Sequence, residues 1–267
     1  MSEASSTRLS PVRFRGRGFI ITPRWYGSLA AFVIIIAIWQ TAGSLGWASP
    51  LFLPSPLAIL QALIALTASG ELVRHIAASA MRIGVGWALG TGTGLAIGLA
   101  MGLWGLARSV GISVVSALFP IPKIALLPLL ILWLGIGEPS KIATIALGVF
   151  FPTTIVTYSG VDSVPRTLIR MAQSFDLPFP AIVRKIVIPA ALPSILSGFR
   201  ISASIALLLV VSAEMIGADR GIGAFVLQAG NLMQTDQLLA GVVVLSIFGL
   251  IVAKVIGLLE ARLLAWR

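Results

Sequence analysis

Apolar residues in this chain gather into long runs instead of alternating or recurring with the sparse period of a soluble helix. A helix needs about 20 predominantly apolar residues to cross a bilayer. Six runs approach that length: Gly27 to Leu45, Ile83 to Leu103, Gly111 to Leu134, Ile142 to Gly160, Ile195 to Gly217 and Leu238 to Leu258. The strands of a membrane barrel alternate, and these runs do not, so the spans are predicted to be helices. Between the first two, Pro54 and Pro56 break the chain, and residues 57–66 make an apolar helix too short to span, predicted to lie on the outer face. The third run contains Pro120, Pro122 and Pro128 and must be kinked or broken. Residues 218–237 are polar and glycine-containing, and predict a turn and a short outer helix.

One run carries a second pattern. Gly86, Gly90, Gly94, Gly98 and Gly102 recur at every fourth position. Residues four apart share a helix face, so the glycines form a smooth groove that lets another helix approach closely. Tight packing is the expected use. A surface that slides during transport is the alternative.

Composition settles the class. Of the 267 residues, 58% are hydrophobic and 10% charged, with a mean hydropathy of +1.03. Soluble domains carry about 25% charged residues. The chain is therefore an all-α integral membrane protein of about six transmembrane helices. It has no cysteine, which excludes disulfides and thiolate metal sites. The net charge of +10 does not point to nucleic acid, because most cations flank apolar runs as membrane anchors do. A tail over residues 1–26 carries five arginines before the first apolar run, and no cleavable signal peptide is visible. With six spans and this tail inside, fourteen of the nineteen Lys and Arg fall on the inner side. Arg74, Arg82, Arg220 and Lys141 fall outside, and Lys123 falls within the membrane. That bias predicts cytoplasmic N- and C-termini. The expected division is a basic tail (1–26), a membrane domain (27–260) and a short cytoplasmic tail (261–267).

Residues 162–193 interrupt the apolar pattern. Arg166, Arg170, Arg184 and Lys185 lie there, punctuated by Pro165, Pro178, Pro180 and Pro189, with Pro193 at its end. Leu168, Met171, Ala172 and Phe175 share one helical face, opposite Arg166, Arg170 and Gln173, so an amphipathic helix is expected, with Ser163 or Asp162 as its cap. Asp176 is expected to cap a second short helix, in which Phe179, Ile182, Val183 and Ile186 share a face. Pro189 and Pro193 are expected to bend the chain back toward the membrane. A helix pair on the cytoplasmic side suits insertion into a groove of a partner.

The stretch IPAALPSILSGFRIS resembles the coupling loop of binding-protein-dependent ABC importer permeases, whose signature is Glu-Ala-Ala, three residues, Gly, nine residues, Ile, one residue, Leu-Pro. The segments IPKIALLPLLILWLGIGEPSKIATIALGVFFPT and VVSAEMIGADRGIGAFVLQAG resemble the subgroup that imports aliphatic sulfonates, taurine, nitrate and related small compounds. The resemblance covers about residues 50–260. The sequence departs from the signature where Arg170, Met171 and Ala172 stand at the Glu-Ala-Ala positions and Asp176 at the Gly position. Asp tolerates the left-handed conformation better than most residues, so the turn can survive without Gly.

The resemblance implies a type I (MetI-like) permease architecture. It implies a homodimer in the bacterial inner membrane, two ABC ATPase subunits below it and a periplasmic or lipid-anchored substrate-binding protein outside. The coupling residues would be Arg166, Arg170, Met171, Ala172, Ser174, Phe175, Asp176, Leu177, Arg184 and Pro189. The chain contains no Gly-x4-Gly-Lys-Ser/Thr phosphate loop, so it is not expected to be an enzyme: ATP and Mg would belong to a separate ATPase. The competing class is a self-contained secondary transporter or channel. Against it stand the lack of an inverted repeat and the scarcity of charges within spans.

Ionisable groups inside spans are costly and often functional. Glu214 either pairs with another helix or serves as an outer gate. Lys123 either attracts an anion in the pathway or marks the end of a broken helix. Ser202 and Ser204 either line the pathway or bond back to their own helix. His75, the single histidine, reads as a plain interfacial residue.

Overall fold

The computed structural model describes residues 25–47 and 49–265. The predicted basic tail lies almost entirely outside the described residues. Among the described residues every regular element is helical. Helix α1 spans Trp25–Ser44, α2 Pro56–Ala68 and α3 Glu71–Leu103. A broken segment follows, comprising α4 (Gly105–Leu118), a 3-10 turn (Lys123–Leu126) and α5 (Leu127–Leu134). Then come α6 (Glu138–Asp162), α7 (Arg166–Ser174), α8 (Phe179–Ile182), a π turn (Val183–Val187), α9 (Ile188–Gly217), α10 (Ile222–Asn231) and α11 (Thr235–Leu263).

Among the described residues, four continuous stretches are long and apolar enough to cross a membrane: α3, α6, Phe179–Gly217 and α11. The pair α4 and Lys123–Leu134 is a fifth, bent by 84° at the expected prolines. Helix α1, with 20 residues, is a sixth apolar segment, about 30 Å long at 1.5 Å per residue. The short helix expected before the second span is α2. Ser55 caps it, its Oγ accepting the Ala58 N–H, and Pro56 opens it.

Two spans begin earlier than the apolar runs suggest. Helix α3 starts at Glu71 instead of Ile83. His75, Ser79 and Arg82 lie on one face of its first turns and are buried by pairing, so polarity does not end the helix. Pro189 and Pro193 do not turn the chain back. The helix runs without a sharp bend from Phe179 to Gly217, 39 residues. The π turn explains this. Its widened hydrogen bonding, with the Ile188 N–H donating to the Val183 carbonyl oxygen, comes just before the proline that lacks a donor.

The core is three-layered, with α6 between α3 and α9. The glycines of α3 meet α6 directly. A Cβ on Gly86 would lie 2.8 Å from the Ile145 Cβ, one on Gly94 2.7 Å from the Phe150 carbonyl oxygen, and one on Gly98 2.6 Å from the Thr157 Cβ. The tight-packing reading of the stripe therefore holds, with α6 as the partner. Nothing larger than glycine fits without parting the helices. On the other side of α6, Gly198 of α9 takes the Val156 side chain and Gly160 of α6 takes Ser194. At the opposite end from residues 162–193, α2, α3, α10 and α11 close around Ile59, Leu66, Leu72, Ile222, Phe225, Ala240 and Val244.

Candidate functional site

The segment 162–193 folds as a helix, a tight turn and the root of a spanning helix. Ser163 does not cap α7: its Oγ donates to the Gly160 carbonyl oxygen at 2.8 Å and so closes the end of α6. Asp162 instead pairs with Arg108 at 2.9 Å. The residue before α7 is Pro165, and no side chain caps that helix. Asp176 does not cap α8 either; Pro178 precedes that helix. Asp176 ends α7, at φ 53°. The Asp176 N–H donates to Gln173 O at 2.9 Å and the Leu177 N–H to Ala172 O at 3.2 Å. This is the Schellman arrangement, which places its left-handed residue where glycine is usual. The signature's Gly position is thus a backbone requirement, and Asp176 meets it.

The predicted apolar face of α7 is split. Ala172 is buried with Ile182, Val187, Ala191 and Ile195, and Ile169 and Leu177 pack against them. Leu168, Met171 and Phe175 face outward, Phe175 at 74% exposure. Burial is decided by where the α3, α6 and α9 ends stand, and they reach only one edge of the face. Arg166, Arg170, Arg184 and Lys185 are exposed, and none has a carboxylate within 4.0 Å among the described residues. Ser174 bonds back to the Arg170 carbonyl oxygen. The segment therefore presents an apolar ridge with cations beside it.

At the far end of the same spanning helix is a buried ion cluster. Glu214 accepts from Arg82 Nη1 at 2.7 Å, Ser79 Oγ at 2.7 Å and the Gly223 N–H at 2.9 Å. Its side chain is fully inaccessible and that of Arg82 nearly so. Arg82 also donates Nε and Nη2 to the two oxygens of Glu138, each at 2.6 Å, and Nη1 to the Arg220 carbonyl oxygen at 2.6 Å. His75 is not interfacial. It is buried, its Nδ1 accepts the Gly221 N–H at 3.0 Å, and its ring lies against Phe225. Gly221, at φ +138°, packs directly on the Glu214 carboxylate, and no side chain would fit there. Arg82 and Lys141, counted as outer cations, are both buried, and Lys141 Nζ donates to the Gly137 carbonyl oxygen at 3.0 Å. Separating a fully buried pair strands a charge and costs about 3–5 kcal/mol. An exposed pair is worth about 0–1 kcal/mol. The Glu214 arm is of the first kind; the Glu138 arm lies between the two, its carboxylate 43% exposed and its guanidinium 3%.

Residues 90–265 match the family of binding-protein-dependent transport system inner membrane components. The chain belongs to this family. A taurine transport system permease protein, TauC, of Escherichia coli is 35% identical over 90% of this chain and 89% of its own length. A Bacillus subtilis permease protein, SsuC, provisionally assigned by name to aliphatic sulfonates transport, is 38% identical over 91% and 88%. The inward-facing MetNI methionine ABC transporter matches in fold with a TM-score of 0.63 at 21% identity, over 72% of this chain and 95% of that one.

Three further residues of the permease have defined places. Lys123 stands at the break between α4 and α5. Its Nζ donates to the carbonyl oxygens of Leu118, Phe119 and Ile121 at 2.9, 3.0 and 2.6 Å and lies 4.3 Å from the centre of the Phe151 ring. It satisfies the carbonyls that the broken helix leaves open. Ser202 is buried; its Oγ accepts from Trp87 Nε1 at 2.9 Å and donates to Phe199 O. Ser204 bonds to Arg200 O. Arg82, Ser79 and His75 escaped sequence reasoning as a group. Their spacing of four and three on one face, continuing the glycine stripe, is the signal that could have found them.

Proposed function

We propose that this permease works as one half of a homodimeric, ATP-driven importer, with its termini in the cytoplasm and α7 as the contact to a separate ATPase. Two ATPase subunits would bind Mg and ATP, and a binding protein would deliver substrate from outside. The observation that carries the reading is mechanical. The exposed ridge of Leu168, Met171 and Phe175 is joined through the Asp176 turn to a helix running unbroken from Phe179 to Gly217. A push on the ridge is delivered across the membrane by one rod. Arg166, Arg170 and Arg184 beside it favour an acidic groove on the ATPase.

The transported solute is a small organosulfonate, an aliphatic sulfonate or taurine, supported by the names of the relatives described above. None of the three pathway candidates is assigned a substrate contact, since Lys123 is taken up by carbonyls, Ser202 by Trp87 and the Phe199 carbonyl oxygen, and Glu214 by Arg82. The decisive experiment is reconstitution with the co-purified ATPase and binding protein. Uptake of labelled taurine or an alkanesulfonate is expected to require ATP and all components. ATP-independent uptake by the chain alone in liposomes, or purification without any ATPase, would sink the reading.

A further inference from the structure

Two outer loops converge on one guanidinium. The Gly135–Gly137 turn, between α5 and α6, is held by Glu138, which takes Nε and Nη2 of Arg82. The Gly217–Gly221 turn, between α9 and α10, is held by the Arg220 carbonyl oxygen and by Glu214, which share Nη1. A cavity of about 420 Å³ lies between the two loops, bordered by Arg82, Ile136, Glu138, Lys141, Asp219 and Arg220.

The two carboxylates are suited to different tasks. Glu214 is sealed from solvent and accepts three kinds of donor, so parting it from Arg82 strands a buried charge. Glu138 is partly exposed, so water can reach its carboxylate when the contact opens, and Arg82, still paired with Glu214, is not left as an uncompensated charge; this arm separates at lower cost than the Glu214 arm. The backbone beside it can move: Gly135 sits at φ +83° with open space around it, and glycine absorbs such rotations without a side-chain penalty. The two loops also belong to different parts of the molecule. One ends α9, the rod that begins at the coupling ridge. The other ends α5, the eight-residue limb of the bent pair.

We propose that Arg82 is a positioning residue for transport. It stays joined to Glu214 throughout, while its contact with Glu138 is a latch that holds the α5–α6 turn to the end of α9 in one state of the cycle and releases it in the other. This rests on the importer reading above.

The natural chain has no cysteine, so the introduced thiols are the sole thiols of this subunit, and a crosslink within it is read from the subunit's own band. Ile136→Cys and Asp219→Cys place one thiol on each loop, both at exposed positions bordering the cavity. The full complex with its ATPase, in lipid nanodiscs, is treated with a short bifunctional maleimide, with and without a non-hydrolysable ATP analogue. The expected result is a crosslinking yield that changes about fivefold or more with nucleotide. Glu138→Gln in the same background is expected to abolish that change and to raise ATP hydrolysis without binding protein several-fold, with the melting temperature preserved. Equal yields in both nucleotide states overturn the latch. So does a Glu138→Gln complex with unaltered crosslinking and unaltered basal hydrolysis. A permease that purifies without an ATPase overturns the importer reading itself, and the latch with it.

Discussion

Arg82 and Glu214 meet at 2.7 Å where both side chains are almost wholly shielded from solvent, joining α3 to α9 at one end of the helical core. Water cannot replace either partner there. Removing the carboxylate leaves Arg82 Nη1, Ser79 Oγ and the Gly223 N–H short of an acceptor. Glu214→Ala is expected to destabilise the protein by about 3–5 kcal/mol, read as a large fall in melting temperature in detergent. Glu138→Gln keeps an acceptor oxygen and leaves Arg82 paired with Glu214, so it is expected to cost clearly less. Equal losses from the two substitutions would refute the distinction between the arms.

The glycine stripe makes a positional prediction. Gly94→Val and Gly98→Val drive a side chain into the backbone or Cβ of α6, and overpacking of this kind costs about 1–3 kcal/mol or more. Gly92 lies on the same helix with open space around it, so Gly92→Val is the control and is expected to fold normally. Melting curves of the three variants decide the matter. If the Gly92 variant suffers as much as the other two, the cause is loss of glycine from the helix and not the α3–α6 contact.

Asp176 offers a cleaner test of backbone geometry. At φ 53° it occupies the position where the family signature has Gly. Asp176→Gly is expected to preserve or improve coupling, whereas Asp176→Val carries a left-handed penalty of about 1–2 kcal/mol and loosens the α7 turn. ATPase-stimulated uptake by the two variants is the measurement. A glycine variant that fails as badly as the valine variant would show that the carboxylate, not the backbone, matters.

The exposed ridge predicts where the ATPase binds. Phe175→Asp and Met171→Asp touch little in the membrane domain, so stability is expected to hold. Loss of an apolar anchor from an interface costs about 2 kcal/mol, roughly thirtyfold in affinity. Arg170→Glu, reversing an exposed charge, is expected to weaken association further at low salt than at high salt. Pull-down of the ATPase by the tagged permease measures all three, and unchanged recovery in every variant would place the contact elsewhere.

Much of this architecture was legible in the sequence for a physical reason. A bilayer demands long apolar helices, so the spans, the break at Pro120 and Pro122, the glycine seam and the polar segment 162–193 are written in residue type and spacing. The left-handed turn at Asp176 was also within reach, because backbone preference is local. Packing was not. Pro189 and Pro193 read as a bend, but a π turn upstream carries the helix past them. Leu168, Met171 and Ala172 share one helical face, and only the position of the neighbouring helix ends decides that Ala172 is buried and the other two are not. His75, Ser79, Arg82, Glu138 and Glu214 read as scattered polar residues near span ends. Their union depends on three helices meeting with their outer ends level, which spacing along one helix does not encode. The chain alone thus determined what crosses the membrane and what projects from it. The tertiary structure decided which charges find each other, because a buried charge is tolerable only where the fold supplies its partner.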